Sequence, residues 1–340
     1  MAADSFTSRI DTFSITLYMM NNRIIQTALC TWVLLFVSCN EQTAPPSAHF
    51  ESMGTIVTVT PESILEPVQR TFNRIDAQMS EWKNDSPLAE VNRMAGVRPV
   101  QCPNEMCTHM LRVIEYAQET DGAFDPTWAC LWDIWDFKNP TLPDKELIAS
   151  RLPLIDWTKI NVTHNTIYLE EKGMAIGLGG VAKGVALDIA DVILRNTGNT
   201  DYMIQIGGQI LARGISRTIG IRKPDGLPHE IIGSVKLTNQ SISTSGDYEN
   251  YFEVDGIRYH HIIHPKTGYP ARGVRSVTVV ANSASRVDAL STAFFVLGVK
   301  DGLALAESMP SVEALFIDDM GEISKTTGFH LEQIDVKTTM

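Results

Sequence analysis

Three histidines fall within five residues of the stretch YHHIIHPKTGYPARG, Tyr259 to Gly273, which then breaks into Pro, Gly, Pro and Gly. A neutral imidazole near pH 7 can take a proton from a hydroxyl, and clustered imidazoles can hold a metal. Side chains alternate faces along a strand, so His260 and His261 point oppositely and only one of them faces any given site. His264, three residues past His261, falls on the face opposite His261 if the strand stays regular, so no close His₃ cluster is expected.

Two further constellations carry oxygen and nitrogen donors. In SASRVDALSTAFFVLG, Ser283 or Ser285 can cap a helix that ends before Gly298. Asp288 and Thr292 stand four apart on it, so their oxygens share a face. A carboxylate and a hydroxyl on one partly buried face suit a hard cation such as Mg²⁺; an ordinary first-turn acid complementing the helix dipole has the same spacing. GLGGVAKGVALD, Gly177 to Asp188, is a Gly-rich turn opening a helix, whose free N–H groups can seat phosphate oxygens. It is no P-loop, because Lys183-Gly184 lacks the Gly-Lys-Ser/Thr order. Gly177-x-Gly179-x-x-Ala182 meets the loose dinucleotide pattern, but Asp201 precedes the next strand instead of ending it. A tight strand-to-helix turn is the competing reading. Trp82 in MSEWKNDSPLAEVN and Phe124-Asp125 in GAFDPTW are loop aromatics, either stacking platforms for flat rings or local hydrophobic plugs.

The elements that must position these residues follow from periodicity. GTIVTVT (Gly54 to Thr60), Tyr202 to Ile206, Gly214 to Arg222, Gly233 to Leu237 and Ser276 to Val280 read as strands. Glu66 to Met79 is a helix with Val68, Phe72, Ile75 and Met79 on one side. Met110 to Glu119 and Ala182 to Arg195 are helices too, the latter expected to bury Val185, Ile189, Val192 and Ile193. Asp255-Gly256 supplies a hairpin turn between Tyr248 and Ile263, so the histidines lie on a hairpin's second strand as it enters a loop. Strands joined by hairpins and mixed with helices predict a single α+β domain with a mixed or antiparallel sheet, not a doubly wound parallel one.

The 340 residues carry a formal net charge of −12 with no Lys/Arg cluster, which argues against a nucleic-acid partner. Ile24 to Val37 is an apolar run of signal-peptide length after Arg23, ending at Cys39 in a lipobox-like LFVSC. Met19 or Met20 would open a signal of ordinary length. We therefore expect residues 1–39 to be a signal and lipidation segment, 40–49 a polar tether, 50–331 the folded domain and 332–340 a tail. Of the remaining cysteines, Cys102 and Cys107 could pair in an oxidising compartment, a pairing the sequence leaves open, and no second Cys/His pair has the spacing of a zinc site.

Taken in order, MGT (Met53 to Thr55), the Ser80-x-Trp82 and Asp85-Ser86 loop, GAFDPT, GGVAKG, IGG (Ile206 to Gly208), TSGDYE (Thr244 to Glu249), HIIHPKTG and DALST form a series. It resembles the ApbE-like FAD:protein FMN transferases over roughly Phe50 to Leu331. The resemblance implies a T-fold-like α+β domain that uses Mg²⁺ to cleave FAD, releases AMP and places FMN on a Ser or Thr hydroxyl of a respiratory flavoprotein subunit. It implies metal ligands at Asp288, Thr292 and the Ala182 carbonyl. It implies flavin-nucleotide contacts from Met53, Trp82, Ala123, Phe124, Asp125, Lys183, Val185, His261 and Ile262. His261 takes the place of the catalytically important histidine. His264 stands where the family usually has Asp or Asn, and Trp82 where a smaller aromatic is common. Many members are periplasmic lipoproteins, which implies a lipid anchor on the periplasmic side of the bacterial inner membrane. The rival functions are an FAD pyrophosphatase, with water as acceptor, and a flavin-binding lipoprotein without turnover.

Overall fold

The computed structural model describes residues 45–137, 141–227 and 229–332. The signal segment, Cys39 and the tether up to residue 44 lie outside the described residues, as do tail residues 333–340. Both domain ends differ from expectation. Ala48–Ser52 is already a strand, and Pro46 accepts a hydrogen bond from the Glu62 N–H, so the tether's end belongs to the fold. Glu332, expected in the tail, exchanges two backbone hydrogen bonds with Ser234. Pairing to a neighbouring strand, which composition does not reveal, decides both ends.

Alternating apolar residues build one antiparallel sheet of eight strands. Its order is Ala48–Ser52, Thr55–Thr60, Tyr202–Ile206, Gln209–Arg213, Gln240–Gly246, Val274–Ala281, Glu313–Asp318 and Ile323–Lys325. The strand expected from Gly54 starts one residue later, because Met53 (φ 50°) and Gly54 (φ 74°) form the preceding hairpin turn. The strand expected from Gly214 starts at Arg217, Gly214 being a left-handed turn residue at φ 82°.

Three helices cover one face of the sheet: α1 (Leu65–Met79), α5 (Ala182–Asn196) and α6 (Ala284–Ser308). Before α5 come α2 (Pro87–Arg93), α3 (Asn104–Glu119) and α4 (Lys145–Arg151), α3 beginning two turns earlier than expected. α1 buries Val68, Phe72, Ile75 and Met79, the four positions its spacing selects. In α5 the stripe rotates. Val185, Ala186, Leu187, Ala190, Asp191 and Leu194 are buried, whereas Val192 is 48% exposed and Ile189 and Ile193 only half-buried. The helix is wedged between α1 and α6, and small residues at Gly184, Ala186 and Ala190 permit that approach. Asp191 joins the buried side because Arg213 and the Tyr202 hydroxyl both bond to it. α6 breaks at Gly298 (φ 78°, ψ 176°), where the sequence predicts its end, and then resumes to Ser308.

On the opposite sheet face, the strands Arg217–Arg222 and Ile231–Leu237 pack Ile221, Val235 and Leu237 over Ala212, Ile242, Val280 and Leu315. A third, largely aromatic cluster carries the histidine loop. Trp135, Phe252 and Tyr259 stack together, and the Trp135 indole N–H donates to Gly268 O at 2.8 Å. The hairpin Tyr251–Val254 and Ile257–His260 turns at Asp255 (φ 51°) and Gly256 (φ 73°), as the dipeptide predicts. Cys102, Cys107 and Cys130 are buried and free.

Candidate active site

A close approach of two helix starts assembles the centre. A Cβ on Gly184 would run into Ala284 O and come 2.5 Å from Ser285 Cα, so the first turn of α5 touches the first turn of α6. One turn on, Asp188 accepts from the Ala284 N–H (2.7 Å), the Ser285 N–H (2.9 Å) and the Ser283 and Ser285 hydroxyls (2.8 and 2.6 Å). Ser283 itself caps α6 by accepting from the Arg286 N–H. These bonds satisfy N–H groups that a helix start leaves open and fix the rotation of α6. Gly184→Ala must push the helices apart, which costs about 1–3 kcal/mol. The expected fall in unfolding temperature is roughly 3–10 °C, measured by thermal denaturation.

That docking brings Asp288 beneath the Gly loop, where the Gly184 N–H donates to Oδ2 at 3.1 Å. Asp288 is 4% exposed, and burial raises its pKa; the positive charge of Lys183, the Gln209 amide and the Gly184 N–H pull the other way. Lys183 donates from Nζ to Gly179 O at 2.7 Å, and its charge also acts on His261 and Glu81. Gly180 brings the loop against two more of the residues selected from sequence. A Cβ there would lie 3.1 Å from Thr292 Oγ1 and 3.5 Å from Phe124. Lys183, Asp288, Thr292 and Phe124 thus converge on one loop, and the Lys183 charge reaches His261.

Each histidine has a separate environment. His260 is buried: Nε2–H donates to Ala271 O at 2.8 Å, Nδ1 accepts from the Ile262 N–H at 3.2 Å, and the ring edge-packs on Phe295. Burial holds its pKa down to about 3. It is a structural residue that bends the chain beside His261, a load that strand alternation alone does not predict. Between pH 6.5 and 3 the unfolded chain binds a proton here that the folded chain does not, so this imidazole's contribution declines as pH falls. His260→Gln is expected to cost about 1–3 kcal/mol at pH 7 and to lose less stability than wild type on acidification to pH 4, in parallel unfolding curves.

His261 donates from Nδ1 to Asn250 O at 3.3 Å, which leaves Nε2 without a proton; burial and then the Lys183 charge lower its pKa. His264 accepts the Lys266 N–H at Nδ1 (3.1 Å), and its carbonyl takes the Thr267 and Gly268 N–H groups. The imidazole therefore closes the turn in the manner of an Asx side chain. All three rings are committed to separate partners.

The remaining positions vary in how far they face a ligand. Trp82 is 59% exposed and edge-packed on Trp132 at 4.7 Å. Its loop is pinned by Ser86, which donates to Ser80 O (2.6 Å) and accepts from the Ala89 N–H (2.9 Å). Asp125 is buried; it accepts from Thr127 N–H and Oγ1–H and from the Trp157 N–H, so it fastens the GAFDPT loop. Ala123 and Ile262 are buried, the latter's carbonyl accepting the Ala271 N–H. Val185 lies in the core beneath the loop, and Met53 is half-buried in the first hairpin turn.

Two residues that sequence reasoning passed over belong to this centre. Gln209 follows the IGG turn and is 3% exposed, with Oε1 lacking a partner among the described residues while the amide faces Asp288. Glu81 sits inside the Ser80-x-Trp82 motif beside Lys183. Neither has a spacing partner in the chain, and only contact reveals them. Among the described residues no three His, Cys, Asp or Glu side chains gather as a metal cage. One buried carboxylate, the Thr292 hydroxyl, backbone carbonyls and the orphaned Gln209 oxygen form an all-oxygen donor set. That set fits Mg²⁺, which typically takes one or two carboxylates and completes its shell with water and substrate phosphates.

The profile of the ApbE family matches residues 53–316. The chain is 32% identical to the FAD:protein FMN transferase of Treponema pallidum over 276 residues, 74% of this chain and 76% of that one. It superposes on the ApbE protein of Thermotoga maritima with a TM-score of 0.76 at 32% identity, covering 83% of this chain and 96% of the other. The flavin transferase ApbE of Vibrio cholerae gives 0.72 at 27% identity, covering 84% and 99%.

Proposed function

This chain belongs to the ApbE family and is a flavin transferase, and we propose that it moves the FMN half of FAD to a Ser or Thr hydroxyl of a protein acceptor, with Mg²⁺, releasing AMP. The observation that carries this reading is the convergence of Lys183 and Asp288 on a Gly-rich helix start, with the Lys183 charge reaching His261. Phosphoryl transfer asks mainly for positioning and charge neutralisation. N–H groups of the Gly loop and the Lys183 ammonium hold the pyrophosphate. His261 Nε2 takes the proton as the acceptor oxygen attacks the FMN phosphorus; the P–O bond to the AMP phosphate breaks, and AMP leaves with that oxygen. Asp288, Thr292 and the Ala182 carbonyl are the residues that would hold Mg²⁺, which neutralises charge developing on the pyrophosphate oxygens. Trp82 and Phe124 offer ring surfaces to FAD.

The test incubates the protein with FAD, Mg²⁺ and an acceptor subunit bearing a Ser/Thr site. Covalent flavin fluorescence on the acceptor in a denaturing gel is the expected result. Equal FMN appearing only in free solution would replace transfer by hydrolysis, and bound FAD with no product would leave a flavin-binding protein. We further propose that Cys39 is lipidated and holds the domain at the periplasmic side of the inner membrane. The Arg23, apolar run and VSC order motivate this. An unmodified Cys39 peptide in mass spectra of the membrane fraction would reject it.

A further inference from the structure

A groove of about 670 Å³ lies along the histidine loop, with Ile257, Tyr259, His264, Tyr269, Arg272 and Val296 in its lining. Two of its boundaries continue from the centre already described. Val296 stands one turn beyond Thr292 on α6, and residues 264–272 belong to the loop that His261 opens. His260 ties the two together, since its ring donates to Ala271 O on the groove wall and packs on Phe295 of α6. None of the residues assigned to FAD, the metal or the proton lines this groove. Its surface is a poor match for water alone. Ile257 is 47% exposed, and Arg272 carries a charge that no carboxylate neutralises among the described residues. The neighbouring arginines are spent: Arg258 on Asp247 (3.3 Å) and Glu253 (3.4 Å), Arg275 on Asp247 (3.0 Å) and Asp225. Arg272 instead donates to the Arg258 carbonyl, and its guanidinium lies 5.0 Å from the centre of the Tyr259 ring. Most of its five N–H donors stay open to a partner. Lys266, with its side chain 72% exposed, approaches only Asp121, at 4.0 Å.

We propose that this groove docks the acceptor protein, taking an extended acidic segment whose carboxylate pairs with Arg272 while a nearby Ser or Thr reaches His261. The proposal rests on the flavin-transfer reading, which needs a protein hydroxyl at His261 but assigns no surface to hold it. Three physical reasons favour this occupant. A carboxylate can take the guanidinium fork bidentately, and an arginine already laid over an aromatic ring loses little freedom when it pairs. The chain as a whole has a net charge of −12, so an acidic segment is repelled elsewhere and settles at the Arg272 and Lys266 corner. Ile257 and the Tyr259 and Tyr269 rings offer apolar cover that a polypeptide's side chains can bury. Water as acceptor needs no such surface. The groove thereby favours transfer to protein over hydrolysis, a choice that Asp288 and Lys183, which act on phosphates, do not make.

Fluorescence anisotropy of rhodamine-labelled peptides of repeating Asp-Thr, Asn-Thr and Lys-Thr, titrated with the full chain, tests the docking. Wild type is expected to hold Asp-Thr about tenfold more tightly than Asn-Thr, the scale of one hydrogen-bonded charge pair, and Lys-Thr most weakly. The preference should shrink as salt rises. Arg272→Gln should erase it and Arg272→Lys keep part of it. Ile257→Glu, at an exposed position, should weaken the Asp-Thr peptide by about tenfold. All three variants should bind FAD as wild type does in calorimetric titration. In transfer to the acceptor subunit, Arg272→Gln should raise KM for the acceptor about tenfold with kcat near wild type. The wild-type comparison needs no variant, so a folding defect does not remove the test. Wild type holding Asp-Thr and Asn-Thr equally, or Arg272→Gln keeping the preference, would overturn the proposal. Loss of FAD affinity in step with peptide affinity would give the groove to the flavin nucleotide and overturn it equally. A dimer in sedimentation that Ile257→Glu dissolves would give it to a second copy of the chain, again against the proposal. With covalent flavin still appearing on the acceptor, each of these outcomes overturns the docking alone. Wild type that puts no flavin on the acceptor overturns the flavin-transfer reading, and the docking with it.

Discussion

Asp288→Ala is expected to lower Mg²⁺-dependent AMP release by about 10³-fold or more, because it removes the one carboxylate in the donor set and with it several kcal/mol of charge stabilisation. Asp288 has no neighbour free to replace it, since Asp188 is spent on the start of α6 and the Glu81 carboxylate is held by the Glu81 and Leu178 N–H groups. Ring stacking on Trp82 and Phe124 needs no metal, so FAD should still bind measurably with EDTA present. Asp288→Asn, of equal size, separates charge from packing. It should fold, bind FAD and lose turnover, and Mg²⁺ should no longer raise its unfolding temperature in the presence of FAD. Undiminished AMP release from Asp288→Ala would remove the metal assignment.

His261→Ala is expected to reduce transfer by about 10²–10⁴-fold, the range of a positioned general base, with FAD affinity near wild type. The pH profile carries the sign. Burial and the Lys183 charge lower the imidazole's pKa, so the proton-accepting form persists as pH falls through the ordinary histidine value of 6.5. Wild-type transfer should therefore hold at pH 6.5 and decline only below it, and His261→Ala should lose that acid limb. A variant that transfers FMN at the wild-type rate would assign the proton to another base. His261 is a cleaner probe than its neighbour, because His260 carries two backbone partners and Phe295, so its replacement disturbs the bend itself.

The chain order of short motifs, the period of α1, the Asp255-Gly256 turn and the four-residue spacing of Asp288 and Thr292 are local properties. Each is written in a few consecutive residues, and the resulting α+β fold and flavin-transferase family were legible from them. What spacing could not give is which helix faces meet. The apolar stripe of α5 suggested Val192 and Ile193 as buried, yet the neighbours select Gly184, Ala186 and Ala190, because close helix approach rewards small residues over apolar ones. Gln209 and Glu81 stayed hidden for the same reason. A lone amide or carboxylate has no periodic partner, and its environment comes from residues far along the chain, such as Asp288 and Lys183. His260 and His261 show the division at its sharpest. Strand alternation in the sequence separated their faces, but only the tertiary packing of Phe295 and Ala271 on one side, and Asn250 and Lys183 on the other, decided which imidazole is a strut and which is left with a free Nε2.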